Sequence, residues 1–428
     1  MITRLQVRNF KSLRNLDLPL GPLNVLAGPN MAGKSNVLDV FDFLHQVFFP
    51  EAGTQGIVYA FAQRGGVSEV IWKGGDDKLI SIALEGVDEN EPETKFRYVL
   101  ELVAGAGDFV TVQNESLKLL GSEKEVDLIV HVQRGFHQFV NADGENLGSV
   151  GSTASALQYA PPNWAGYKLH EWVRDWRFYH LVPPDMKEPS PMSSGEHLLR
   201  NGANLSAWLM WLQTNSPEAF GRINEVLRDL FEDISHVKTT PMQDGKVFFA
   251  VQEKGLKRPI PVWQGSDGLL VLTALLSLIY SPPEFSGTLY CIEEPENHLH
   301  PRLLETLVAL LRQVRQEIRD AKGSPSPDYR YYSVSLPGRP DGNRRNHLDR
   351  KTKRRDESLS PIREGSPSQV GRSQRARARR YRLLGYTRRR KMNVAIIVEG
   401  DDDASVYPVF IRRIRNDVGK STPSNVAA

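Results

Sequence analysis

Gly28 to Ser35 spell GPNMAGKS, a fit to G-x-x-x-x-G-K-[ST], and the flanking residues decide what the fit means. Before it, 22–27 (PLNVLA) form a short apolar run of strand character. After it, Val37, Val40, Phe41, Leu44 and Phe48 recur at helical spacing over 36–49. In such a strand–loop–helix unit the glycines let the backbone curl, so that successive N–H groups converge on β-phosphate oxygens. Lys34 then places its charge between β- and γ-phosphates, and Ser35 offers its hydroxyl to Mg²⁺. The helix start adds the positive end of its dipole. Roughly one or two random chains in a hundred of this length would carry the pattern, and fewer would carry it between a strand and a helix. The unit implies a nucleotide triphosphate ligand.

The rest of the chain surrounds that unit. Ile2, Leu5, Val7 and Phe10, then Leu16, Leu18 and Leu20, alternate as a hairpin or two short strands. From Val67 to Val140 the pattern is strand-like (VSEVIW, LISIAL, FRYVLEL, DLIVHV), which predicts an antiparallel arm over about 67–141, inserted after the first helix. A helical lobe is expected over about 153–235, with Trp172 and Trp176 sharing one helix face as plain core, and Leu205 and Leu209 another. Val247 to Val251 is a predicted strand, and Asp267 to Tyr280 a buried helix. Thr288 to Ile292 is an apolar strand ending in two carboxylates, and Arg302 to Ile318 an amphipathic helix.

At 428 residues the chain has room for two or three domains. Its longest apolar run, Leu269 to Tyr280, is well short of the ~20 residues that span a bilayer. The N-terminus has no apolar signal region, and the single cysteine, Cys291, excludes an internal disulfide framework. These features predict a soluble cytoplasmic protein without a membrane partner. The net charge of +3 hides an asymmetry: 323–391 hold 20 Lys/Arg against 6 Asp/Glu, leaving 34 against 45 elsewhere. That segment is crowded with Arg, Ser, Pro and Gly and lacks apolar periodicity, so a disordered basic tail is expected there.

Two further segments carry chemistry. In LYCIEEP an apolar strand delivers Glu293 beside the metal bound to the loop serine, and Glu294, one residue on, can orient or deprotonate an attacking water. Gln264-Gly-Ser266-Asp267-Gly268 precedes the apolar helix; on its own it favours a plain N-cap over an anion-binding cap.

These three elements in this order resemble the ABC-type ATPase heads of the RecF/SMC/OLD group. LQVRNFKSLRNLDL before the loop is similar to that group's opening. FYHLVPPDM, GANLSAWLMWL, QGSDGLLVLTALL and CIEEPENHLHPRLL resemble the bacterial RecF-like AAA-type ATPases. The resemblance covers about residues 1–322 and implies an α/β P-loop NTPase head with an antiparallel β subdomain and a helical lobe. It makes Gly28, Pro29, Asn30, Met31, Ala32, Gly33, Lys34 and Ser35 the Walker A loop, with Asn36 beside it at the nucleotide. Glu293 becomes the Walker B acid and, with Ser35, a Mg²⁺ ligand; Glu294 becomes the catalytic glutamate. Ser266, Asp267 and Gly268 stand at the signature motif, which in such heads caps the γ-phosphate held by a second protomer, so that ATP joins a homodimer. Asn297 to His300 would be the D-loop, Gln63 a Q-loop residue, and Arg8 to Lys11 candidates to approach adenine or phosphates. His298 and His300 have no third imidazole or cysteine nearby to complete a zinc set.

The pattern breaks after residue 322. The family continues with an apolar strand ending in a T-[HQ]-S switch motif, whereas DYRYYSVSLPGRPDG stands here with no such strand. A native arm, a nucleic-acid-binding tail and a shifted reading frame are the alternatives. Shifting the codons of Asp328 to Gly342 by one nucleotide permits I-I-V-T-T-Q-S-P-Y-L-V-D-L-M, a β-branched strand followed by that motif, so 328–391 is expected to be out of frame. Met392 to Val418, a strand over Met392 to Val398, then Glu399 and a helix, resembles the first strand and helix of a TOPRIM-like protein, so that 392–428 would be the truncated start of a protein encoded next door. The resemblance implies an ATPase using ATP and Mg²⁺ in DNA repair or recombination, with DNA as a partner. Its alternatives are the ATPase of an OLD-like phage-defence or toxin system with a TOPRIM partner, and an ATP-binding form with impaired hydrolysis.

Overall fold

A computed structural model describes residues 1–28, 30–87, 94–105, 109–121, 125–132, 136–141, 143–282, 287–300, 302–307, 309–310, 333–335 and 393–399. All belong to one compact unit, residues 1–338 with 390–428. No helix among them is long and apolar enough to cross a membrane.

Strands β1 (Ile2–Phe10) and β2 (Leu13–Pro19) form the expected hairpin, and β3 (Leu23–Gly28) leads through the glycine loop into α1 (Lys34–Phe48). Two short helices follow, α2 (Gly56–Ala62) and α3 (Val67–Val70). The first part of the predicted arm is therefore helical: Val67 and Val70 are both buried, three residues apart, which one helical turn satisfies and a strand does not. Strands β4 (Leu79–Val87), β5 (Lys95–Ala104), β6 (Val110–Leu120), β7 (Glu125–Val132), β8 (Phe136–Val140) and β9 (Asn146–Gly151) then run as an antiparallel meander. The arm is not separate from the hairpin. β1 pairs with β4, Leu5 opposite Leu84 and Val7 opposite Ile82, making one eight-stranded sheet, β2-β1-β4-β5-β6-β7-β8-β9.

After α4 (Tyr167–Arg174) the chain re-extends as β10 (Trp176–His180). The prediction that Trp172 and Trp176 share a helix face is thus corrected: Trp176 opens a strand. The rings still meet edge to face at 5.7 Å, and Trp176 is fully buried against Phe41. The lobe continues with α5 (Pro183–Met186), β11 (Ser190–Pro191), α6 (Leu205–Asn215), α7 (Pro217–Leu230), β12 (Ile234–Pro241), β13 (Lys246–Glu253), β14 (Ile260–Pro261) and α8 (Asp267–Tyr280). Leu205 and Leu209 share a buried face of α6, as expected. Finally come β15 (Leu289–Glu293), β16 (Ser333–Ser335) and β17 (Asn393–Glu399).

The central sheet is parallel, in the order β10-β15-β17-β3-β16. β15 is apolar on both faces because both are covered. Leu289 and Cys291 of β15 join the core beneath α1 and the large sheet, while Tyr290 and Ile292 join the core of α6, α7 and α8. Two features of the C-terminal region differ from expectation. Ser333–Ser335 form a short strand beside β3 where none was expected, and β17, set apart from the head by its resemblance, stands inside the head's own sheet. The remaining residues of the basic segment, of the region after Glu399 and of the 311–318 helix end lie outside the described residues.

Candidate nucleotide and metal site

Gly33 caps α1 with φ of 96°, a left-handed backbone, and a Cβ there would sit 2.6 Å from Ser12 Oγ in the β1–β2 turn. Only glycine satisfies both constraints. Met31 is also left-handed and 82% exposed, while Pro29 lies outside the described residues. Lys34 is buried, and its Nζ donates to the Gly28 carbonyl at 2.8 Å, folding the ammonium onto the loop. Ser35, next along the helix, is exposed. Asn36 Nδ2 donates to Ser12 Oγ at 2.7 Å, tying the helix start to the hairpin. Of the expected neighbours in β1 and its turn, Lys11 pairs with Asp39 at 2.6 Å and Arg8 with Asp77 at 2.6 Å.

Glu293 closes β15. In the register between β10 and β15 it lies opposite His180, whose Nδ1 is 3.6 Å from Glu293 Oε2. Burial pushes the Glu293 carboxyl up; Arg200 and His180 oppose that, and Glu294 and Asp39 add to it. A cavity of about 200 Å³ joins the two halves of the site: Lys11, Ser35, Asn36, Asp39, Arg200 and Glu293 line it with Leu38, Phe178, Tyr179 and Cys291. Burial pushes the Cys291 thiol well up, so it stays neutral there. The loop serine and the strand-tip acid, about 260 residues apart in sequence, thus share one chamber.

Glu294 does not line that cavity. It turns the chain with φ of 48°, and its Oε2 accepts from Asn297 Nδ2 at 2.8 Å. A left-handed backbone at a non-glycine residue costs roughly 1–2 kcal/mol and is the kind of strain that collects at working sites. Ser266 is the N-cap of α8, its Oγ accepting from Leu269 N–H at 3.4 Å, and Asp267 pairs with Lys187 at 2.7 Å. Gly268 packs so closely on the Pro295–His298 turn that a Cβ would sit 2.7 Å from the His298 carbonyl. None of Ser266, Asp267 and Gly268 lines the cavity, and neither does Gln63, an exposed residue ending α2. His300 Nδ1 accepts from Arg302 N–H at 3.3 Å.

Sequence reasoning missed Asp39, Asp42, Arg64 and Arg200. Arg64, its side chain 5% exposed, reaches Asp39 at 2.8 Å and Asp42 at 3.5 Å, and Arg200 reaches Asp42 at 2.9 Å. The available signal was two aspartates at four and seven residues after Ser35, on one face of a helix whose other residues from Val37 to Leu44 are all apolar.

Residues 23–324 match the family model described as "AAA domain, putative AbiEii toxin, Type IV TA system". The chain belongs to that family. It is an AAA-type P-loop ATPase domain with partial relatives among RecF and OLD proteins. Over 44 residues, this AAA domain is 52% identical to the OLD nuclease of Thermus scotoductus. Over 65 residues it is 38% identical to the DNA replication and repair protein RecF of Roseiflexus castenholzii. These stretches cover 10% and 15% of the chain, but only 8% and 16% of the two relatives' own lengths. Among solved structures it is similar to an SMC head bound to the C-winged helix domain of ScpA, at 14% identity and TM-score 0.44, covering 74% of the chain and 87% of that head. The SMC head domain of Thermotoga maritima aligns at 14% identity and TM-score 0.35, covering 74% and 85%.

Proposed function

We propose that this AAA domain hydrolyses ATP with Mg²⁺, in a homodimer whose two copies enclose the nucleotide, and that the cycle acts on duplex or gapped DNA in repair or recombination. The observation that carries this is the single chamber shared by Ser35 and Glu293. A hydroxyl and a carboxylate are hard oxygen donors suited to Mg²⁺, and these two residues would hold it. When bound, the ion would neutralise charge on the β- and γ-phosphates. Lys34 and the loop amides stabilise phosphate charge; releasing Nζ from the Gly28 carbonyl frees the ammonium for a better acceptor. Asn297 holds one oxygen of Glu294, which leaves the other to orient water. Ser266, at the start of a 14-residue helix, would offer its hydroxyl and the helix dipole to the γ-phosphate bound by the second copy. Work of this kind is positioning and electrostatics.

The test is ATP binding and turnover of the full chain beside Lys34→Ala and Glu294→Gln. Lys34→Ala should lose binding. Glu294→Gln should keep binding and lose turnover by about 100-fold or more. Equal turnover in parent and Glu294→Gln would remove the catalytic assignment.

A second reading shares the same engine: the ATPase of a phage-defence or toxin pair with a separately encoded TOPRIM-like partner. The OLD nuclease match and the toxin description of the family favour it. Stimulation of turnover by DNA supports repair, whereas co-purification with the neighbouring gene's product supports the pair. A form that binds ATP and dimerises yet hydrolyses poorly is favoured by β17, rather than a switch strand, standing beside the loop.

A further inference from the structure

We propose that Arg200 contacts the phosphates of the bound nucleotide and distinguishes a triphosphate from a diphosphate. This inference rests on the ATP-binding reading above. Arg200 belongs to none of the loop, strand-tip or helix-cap motifs. It sits in the segment between β11 and α6, and the backbone places it: its carbonyl accepts from His180 N–H at 2.9 Å, and the Asn201 carbonyl accepts from Val182 N–H at 3.0 Å. Residues 200 and 201 are thereby pinned to the end of β10, and His180 at that end lies opposite Glu293 in the sheet register.

The side chain lines the chamber of Ser35 and Glu293 and is 54% exposed. Among the described residues its one hydrogen-bonded partner is Asp42, through Nη1 at 2.9 Å. The other donors of the guanidinium fork are left for a ligand, and a planar fork suits phosphate oxygens bidentately.

Charge gives the same assignment. On α1, Asp39 and Asp42 already have two cations, Lys11 at 2.6 Å from Asp39 and the buried Arg64 reaching both. Arg200 is a third cation on that set, and besides Asp39 the one anion lining the chamber with it is Glu293, the proposed metal ligand. Once a divalent ion takes Glu293, the Arg200 charge is uncompensated unless phosphate enters. The phosphates that share an ion with a loop serine are the β and γ groups, and a diphosphate lacks the second.

The experiment is equilibrium binding of a non-hydrolysable ATP analogue and of ADP, both with Mg²⁺, to the full chain and to Arg200→Met, Arg200→Lys and Asp42→Asn. Arg200→Met should weaken the analogue by about 10- to 100-fold and ADP by less than about threefold. Arg200→Lys, which keeps a point charge without the fork, should fall between. Asp42→Asn, which removes the carboxylate that Arg200 shares with Arg64 but keeps the guanidinium, should leave the ratio of the two affinities at or above that of the parent. Equal weakening of both nucleotides by Arg200→Met, or an Asp42→Asn variant that reproduces its effect, would show a purely structural pair and overturn the inference while leaving ATP binding intact. A parent chain that binds neither nucleotide would overturn the ATP reading itself.

Discussion

Glu115 shows how much one side chain organises away from the nucleotide site. It is fully buried in β6, and four donors converge on it: Tyr98 Oη at 2.9 Å, Ser155 Oγ at 2.8 Å, Ala156 N–H at 2.7 Å and Leu157 N–H at 3.3 Å. The carboxylate thus ties the large sheet to the turn that leads back toward α4. Burial pushes its carboxyl above the ordinary glutamate value of 4.5, although the Ala156, Ser155, Tyr98 and Leu157 donors work against the shift. A group whose folded pKa is raised contributes stability that is complete below the unfolded value and is lost as pH rises through the folded one. The unfolding free energy should therefore decline as pH climbs above 4.5. Glu115→Gln, neutral at every pH, should lack that component, which denaturant titrations at several pH values would show. A Glu115→Ala chain strands the donors and should lose about 3 kcal/mol or more. Nothing in the sequence singles out Glu115, because alternation marks it only as an inward position of a strand, and of its donors Tyr98 lies 17 residues away and the other three 40 to 42.

The elements that sequence revealed are those whose signals are local. The β3–loop–α1 unit, the apolar α8 and the β15 tip each carry their own pattern, so candidate side chains could be placed on them before any packing is known. Trp176 was misplaced because only Asp175 separates α4 from β10, with no glycine or proline between them, and the hydrogen bonds that extend 176–180 come from β15 more than 100 residues later. The union of hairpin and arm was hidden for the same reason, since the pairing of β1 with β4 is non-local. Ser266 is legible as a cap, but the role proposed for it depends on a second copy. Its N-cap bond and the close approach of Gly268 to the His298 carbonyl make the start of α8 and the Pro295–His298 turn one contiguous surface. If that surface completes the site of a partner, Lys34→Ala and Ser266→Arg chains, each inactive alone, should regain ATP turnover when mixed. One of the two interfaces in the mixed dimer then has an intact loop facing an intact cap. No turnover from the mixture, with both variants folded, would count against the sandwich.

For the molecule as a whole, the decisive feature is what fills the sheet between the loop strand and the acid strand. β17 pairs with both, Cys291 opposite Ala395 on one side and Asn24 opposite Ala395 on the other, and Glu399 lies in register with Gly28 where the loop begins. Neighbouring strands are ~4.8 Å apart, so one intervening strand holds the loop and Glu293 ~10 Å apart, room for a metal and phosphates between them. Without it, β3 and β15 either close up or leave unpaired backbone in a covered sheet, which costs free energy and misplaces the chamber walls. A chain ending at Lys391 should therefore melt at lower temperature and bind ATP at least tenfold more weakly than the full chain. Unchanged melting and unchanged affinity would mean that β17 is no part of the working head. If the shifted frame holds, the peptide I-I-V-T-T-Q-S would take the same slot. It is a β-branched strand that would follow β15 and its helix directly and would carry a polar switch residue at the tip, where β17 carries Glu399. A frame-restored chain should accordingly hydrolyse ATP faster than this one, with the difference abolished by Glu294→Gln in both backgrounds. Equal rates in the two parents would show that the slot needs only a strand, whatever its tip, and that 393–399 serves the ATPase sheet as it stands.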